Sequence, residues 1–327
     1  MNARAALVQC AAGFLVSLLA APAGAEEARK MAILFAGSKV QRDSYERLAL
    51  DILREKGFVE GRNLVITRRY ADGDASKLPG LAREIEATRP DVVLSMCTPS
   101  TRAMKEASAT TPIVMGMVSD PVGQKLIDSL SRPGHNVTGT ANQYDEVLPK
   151  MLEVLAAVLP AGARVAILTN ESNVAHGRLW PIAEEAGKRL RLTTRRFVVK
   201  DPAGVPAALE AMLPDRQQAI FVLPDDPMLS RASSVVSSFA ITHRMATLYS
   251  AREFTVAGGL LSYGTSFTEG YRLAATYVDR ILRGDRPDQL PVSLPTQFEL
   301  TINMKTARAI GVTIPETLKL SAERLVE

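Results

Sequence analysis

Apolar positions along this chain follow two alternating rhythms. Short runs rich in β-branched residues stand at Ala32–Phe35, Asn63–Tyr70, Val92–Met96, Ile113–Val118, Val165–Leu168, Arg195–Val199, Ala219–Leu223 and Leu260–Tyr263. Between them apolar residues recur at helical spacing, as in Tyr45, Leu48, Ile52 or Met151, Val154, Leu155, Val158. Continuous apolar strands alternating with amphipathic helices are the signature of parallel sheets covered by helices on both faces, because each parallel crossover needs a helix. The pattern therefore predicts an α/β protein. Asp43 with Glu46 three residues later reads as a capping box, and Gly57 after Lys56 as the stop of the first helix.

The rhythm breaks three times. Residues 131–145 carry Arg132-Pro133-Gly134-His135-Asn136, a short strand Val137–Gly139 and a polar stretch. Residues 264–269 are irregular before a helix at Tyr271–Leu282, and residues 284–295 are rich in proline. Each break is expected to be a crossing between two domains, so that neither domain is continuous. The expected division is a leader at 1–25, one lobe at 26–141 plus 268–297, and a second at 142–267 plus 298–327. A mature length of about 300 residues also exceeds what one core usually organises.

The leader follows from the N-terminus. Arg4 precedes the apolar run Ala5 to Ala21, and Ala23-Gly24-Ala25 stands before Glu26. Charge, apolar run and small-residue site in that order make a secretory signal, cleaved after Ala25. Gln9 interrupts the run, which makes it a poor membrane span. Cys10 lies in its middle, so no lipid-attachment site is expected and the mature protein is expected free in a periplasm. Cleavage would leave Cys97 as the only thiol, which excludes an intramolecular disulfide. The net charge of +4 is spread without blocks, and nothing suggests a nucleic-acid surface.

Three strands end in a polar residue followed by proline: Thr98-Pro99, Asp120-Pro121 and Asp226-Pro227. Each reads as an N-cap with proline at the first helical position. In open parallel sheets, ligands bind outside the carboxyl ends of the strands, where helix N-termini offer free N–H groups. The candidate ligand-binding residues are accordingly Gly37, Ser38, Thr98, Ser100, Asp120, Asn142, Asn170, Asp226 and Tyr263. An amino-acid-like ligand would dock its carboxylate at the Thr98 helix and its ammonium on Asp226, with Asn142 and Tyr263 as wall. Of the adjacent Asp225 and Asp226, one is expected to cap and the other to be solvated.

Motifs of the common enzyme classes are missing: no G-x-S-x-G elbow, no P-loop and no G-x-G-x-x-G follows the first strand. His135, His176 and His243 lack metal-ligand spacing and read as ordinary surface or core residues. Cys97 has no predictable basic partner and reads as a small buried hydrophobe. Trp180 is expected to pack in a core. No catalytic residue, metal or cofactor is implied.

The order of motifs Gly57-Phe58-Val59-Glu60-Gly61-Arg62-Asn63, Thr98-Pro99-Ser100, Asp120-Pro121-Val122, Arg132-Pro133-Gly134-His135-Asn136-Val137-Thr138-Gly139, Gly258-Gly259-Leu260-Leu261-Ser262-Tyr263-Gly264 and Pro295-Thr296-Gln297-Phe298-Glu299-Leu300 resembles the ABC transporter substrate-binding family that includes predicted tryptophan/tyrosine-binding proteins. That resemblance spans nearly the whole mature chain. It implies a type I periplasmic binding fold, with two Rossmann-like lobes joined by a three-strand hinge, a small-molecule ligand in the inter-lobe cleft, and an ABC permease in the inner membrane as partner. The ligand is expected to be amino-acid-like, aromatic amino acids included, and the protein a monomer. A periplasmic sensor subunit and an exported enzyme on the same scaffold remain the alternatives.

Overall fold

A computed structural model describes residues 28–327. The proposed leader, 1–25, lies outside the described residues. From the N-terminal side the chain runs through β1 (Arg29–Phe35), α1 (Lys39–Glu55), β2 (Leu64–Tyr70), α2 (Leu78–Ala87), β3 (Val92–Ser95), α3 (Thr98–Ala107), β4 (Ile113–Ser119) and β5 (Val137–Asn142). These strands form one parallel sheet in the order β2-β1-β3-β4-β5. It crosses into α4 (Tyr144–Ala156), β6 (Arg164–Asn170), α5 (Val174–Arg189), β7 (Thr193–Val199), α6 (Val205–Glu210), β8 (Ala219–Val222), α7 (Pro227–Arg231), α8 (Ser233–Thr242), β9 (Ala246–Tyr249), α9 (Arg252–Val256) and β10 (Leu261–Thr265).

Helix α10 (Phe267–Leu282) returns to the first sheet, and β11 (Phe298–Asn303), α11 (Met304–Ile310), α12 (Glu316–Leu320) and β12 (Arg324–Val326) finish the second. That second sheet has the order β12-β11-β10-β9-β8-β6-β7. Among its pairings only β10 with β11 is antiparallel. The backbone passes between the sheets after Asn142, after Thr265 and before Phe298. On the third passage the Ser293 amide donates to the Gly139 carbonyl and its carbonyl accepts from Ala141, so this segment runs beside β5.

The central strands of each sheet are buried on both faces, as their continuous apolar runs require. Val165 and Ile167 of β6 join one core cluster of the second lobe, while Ala166 and Leu168 join the cluster on the opposite face. Ala219 and Phe221 of β8 divide from Ile220 and Val222 in the same way. The first lobe's core takes Tyr271, Ala274, Val278 and Ile281 from α10, although that helix follows the second lobe in sequence.

Two local expectations need correction. Asp43 lies inside α1, paired with Arg47, and is not its cap. Pro121 opens a run of turns rather than a helix, because Asp120 adopts φ +42° and its carboxylate accepts from the Gly123 amide. Strands β9, β11 and β12 lie outside the predicted runs; they are short or carry polar residues, and their pairing with β10 and with each other makes them strands. At Gly264 a Cβ would stand 2.3 Å from the Ser250 carbonyl, so its bareness lets two backbone segments approach. Gly57 does end the first helical segment, with φ +97°.

Candidate functional site

Between the carboxyl edges of the two sheets lies a cavity of about 320 Å³. Only 5% of the chain is aromatic, yet Phe35, Tyr45, Tyr144, Phe254 and Phe267 all line this one cavity. Phe35 ends β1, Tyr45 lies on α1, Phe267 opens α10, Tyr144 opens α4 and Phe254 is on α9. Rings thus come from both lobes. Tyr45 stacks on Tyr271 at 5.2 Å and meets Phe267 edge-on at 5.8 Å between ring centres, which orders this wall before any ligand arrives.

Polar groups sit among the rings. Asp225, Asp226, Ser230, Arg231, Ser233, Ser250 and Glu253 line the cavity from the second lobe. Several of these groups tie the lobes together. The Thr98 hydroxyl donates to Asp225 Oδ2 across the cleft at 2.8 Å and accepts from the Ser119 amide at 3.1 Å. The Tyr45 hydroxyl donates to Glu253, and Arg231 donates to the Asp72 carbonyl. Near the crossing, Arg178 pairs with both Asp120 and Asp145. The lobes are therefore in contact around the cavity.

Two adjacent aspartates divide their work. Asp226 caps α7: its Oδ1 accepts from the Leu229 amide at 2.7 Å, and its Oδ2 accepts from Asn170 at 2.8 Å and Asn173 at 3.0 Å. It is buried, with both oxygens committed inside its own lobe. The expected ammonium acceptor is thus a scaffold residue. Asp225 is the member that crosses to the other lobe, and it is held there rather than left to solvent. Its φ of +63° is a left-handed conformation that Asp tolerates better than most side chains.

His176 secures that corner from behind. It is fully buried, its Nδ1 accepts from the Asn170 amide at 2.8 Å, and Nε2 therefore carries the hydrogen and donates to the Pro224 carbonyl at 2.9 Å. Burial holds its pKa below the usual value of 6.5, the nearby Asp226 only partly opposing this. The unfolded chain takes up a proton on this ring below about pH 6.5, whereas the folded protein does not, so stability present at neutral pH is lost as pH falls. We expect a loss of up to about 1.4 kcal/mol per pH unit below that point. Urea melts at successive pH values should show a shallower decline in His176→Gln, and parallel declines would refute this role.

The remaining candidates scatter. Asn142 lines the cavity, but its amide is occupied by structure: Nδ2 donates to the Met117 carbonyl and Oδ1 accepts from Thr265 at 2.6 Å. Thr98 and Asn170 line a neighbouring inter-lobe cavity of about 240 Å³. Cys97, not Thr98, precedes the first helical residue of α3, and the Ser100 hydroxyl contacts the Cys97 thiol at 3.1 Å instead of facing a ligand. Burial pushes that thiol's pKa up, which leaves it a poor nucleophile. Asp120 is on Arg178. Gly37 and Ser38 sit in the β1–α1 loop and line neither cavity. Tyr263 stacks on Phe298 away from the cleft, and Trp180 packs on a core cluster. Among the described residues, no three His, Cys, Asp or Glu side chains are placed to hold a metal, and no helix is long and apolar enough to cross a membrane.

The family model described as ABC transporter substrate binding protein matches residues 40–326. A tyrosine-binding protein of Clostridioides difficile is 23% identical over 284 residues, covering 86% of this chain and 79% of that protein. A solved conserved domain protein of Vibrio cholerae O1 biovar El Tor is 26% identical, with a TM-score of 0.84 over 91% of this chain and 100% of its own. A solved ABC domain from Streptococcus pneumonia in complex with L-Trp is 23% identical, with a TM-score of 0.85 over 92% of this chain and 100% of its own.

Proposed function

This chain belongs to the ABC transporter substrate-binding protein family, and from that premise we propose that it captures an aromatic amino acid for an ABC importer. Its fold is that of the type I periplasmic binding proteins, two mostly parallel α/β sheets with helices. The family and the structural neighbours are solute-binding proteins rather than enzymes. The observation that carries the ligand reading is the set of five aromatic rings around the inter-lobe cavity. A planar side chain buried there gains stacking and edge contacts worth about 0.5–1.5 kcal/mol per ring pair beyond its area.

In this proposal the lobes are 26–141 plus 268–297 and 142–267 plus 298–327. The protein is exported to the periplasm by a signal cleaved after Ala25, works as a monomer, and hands its ligand to a permease in the inner membrane. The ligand's ammonium rests on Asp225, beside the Thr98 clasp, and its ring lies among Phe35, Tyr45, Tyr144, Phe254 and Phe267. Closure is then favoured by the ligand, because rings and polar partners from both lobes meet only in the closed form.

Protein from a periplasmic extract, with an intact mass beginning at Glu26, should melt at a higher temperature with L-tryptophan, L-tyrosine or L-phenylalanine. A ligand at 100 times its Kd stabilises the native state by about 2.7 kcal/mol. Branched aliphatic amino acids should do much less. A melting temperature indifferent to every aromatic amino acid would overturn the ligand reading while leaving the family membership intact.

A further inference from the structure

One cavity residue is held there by unusual means. Strand β4 pairs with β5 in regular register at Met115↔Gly139 and again at Val118↔Ala141. Gly116 and Met117 therefore stand against the single residue Thr140. That two-against-one step is a bulge, which re-aims a side chain out of the normal alternation. Met117 adopts φ +60°, a left-handed conformation that costs a non-glycine residue roughly 1–2 kcal/mol. Such a conformation persists only where its surroundings hold it.

They do so through side chains that replace the ladder. The Met117 amide donates to the Thr140 hydroxyl at 3.0 Å, and its carbonyl accepts from Asn142 Nδ2 at 3.2 Å. Asn142 is fixed in turn by Thr265, at the end of β10 where the chain crosses lobes. The Met117 side chain is buried and lines the aromatic cavity. Behind it, in the first turn of α10, stands Gly270. A Cβ at Gly270 would lie 1.9 Å from Met117 Sδ and 2.8 Å from its Cγ. The thioether therefore rests in a space that exists only because residue 270 has no side chain.

We propose that Met117, aimed by the β4 bulge and backed by Gly270, sets the size of ring that the cavity accepts. This rests on the ligand reading above. The thioether is flexible, so a methyl group at Gly270 moves it toward the cavity rather than breaking the fold. Gly270→Ala thus makes the site shallower, and Met117→Ala makes it deeper. An apolar pocket changes discrimination by about tenfold or more for one methylene.

Calorimetric titration of the mature protein with L-tryptophan and L-phenylalanine tests this. In Met117→Ala the ratio of affinities, tryptophan over phenylalanine, should rise about tenfold, and in Gly270→Ala it should fall about tenfold. Should Gly270→Ala fold poorly, Met117→Ala decides alone. Affinities for both ligands that move by the same factor, or a ratio unchanged in Met117→Ala, overturn the proposal. An unaltered protein that binds neither ligand removes the ligand reading itself, and the size-setting role with it.

Discussion

Exchanging Asp225 for Asn should weaken binding of an aromatic amino acid by about 2–4 kcal/mol, roughly 30- to 1,000-fold, while leaving stability nearly unchanged. The substitution keeps the shape of the side chain and its tolerance of φ +63°, and an amide oxygen can still accept from Thr98. What it removes is the negative charge of Asp225, the aspartate whose carboxylate is not committed inside its own lobe. A buried ammonium deprived of its counter-charge loses far more than a neutral hydrogen bond is worth. Titration calorimetry reads the affinity and a urea melt reads the stability. Native affinity in Asp225→Asn would show that the ammonium sits elsewhere.

Asp226→Ala should do the reverse. It leaves the Leu229 amide uncapped and takes a shared acceptor from Asn170 and Asn173, in a corner where Asp226 and Asn170 are buried. An N-cap is worth about 1 kcal/mol and each buried donor left unsatisfied about 1–3 kcal/mol. Some relaxation is available to Asn173, which also donates to the Asp225 carbonyl. We expect a total loss of about 2–4 kcal/mol in stability, with the ligand affinity of the remaining folded protein close to native. A lost affinity with native stability would restore Asp226 as the ligand's partner. The two outcomes together would separate scaffold from site at neighbouring carboxylates.

The pair also shows where reading the chain stops. That one aspartate caps a helix follows from Asp226-Pro227 after an apolar strand, and Asp226 is that cap. The same reading chose Asp226 for the ligand, because a capping position at a strand end lies near a cleft. It could not register that two asparagines, Asn170 and Asn173, reach Asp226 from 56 and 53 residues away and use up its oxygens. Nor could it place Tyr263, which the alternation of β10 turns toward Phe298.

The aromatic wall was not legible for a related reason. Tyr45 carries an apolar ring at a core-facing helical position, Phe254 stands in a short helix, and Phe267 stands in the irregular stretch before the apolar pattern of α10 begins. In sequence each is an ordinary core residue. Their convergence depends on α10 crossing back to the first lobe and on the two sheets facing each other. A signal that could have raised Phe267 is its position next to Ser266, the cap of a helix at a domain crossing.

By itself, then, the sequence determined most of the alternating strands and helices, their predominantly parallel pairing, the breaks in rhythm and the family, because each rests on backbone preferences and apolar periods expressed within a few residues or on the order of whole motifs. Tertiary structure alone decided which of the two aspartates is committed inside its own lobe, which rings line the cavity, and that Met117 points into it. Those outcomes come from hydrogen bonds and close packing between residues remote in the chain, from Asn173 with Asp226, 53 positions apart, to Thr98 with Asp225, 127 apart, and Met117 against Gly270. No local pattern carries them, since their free energy exists only once the lobes have folded and met.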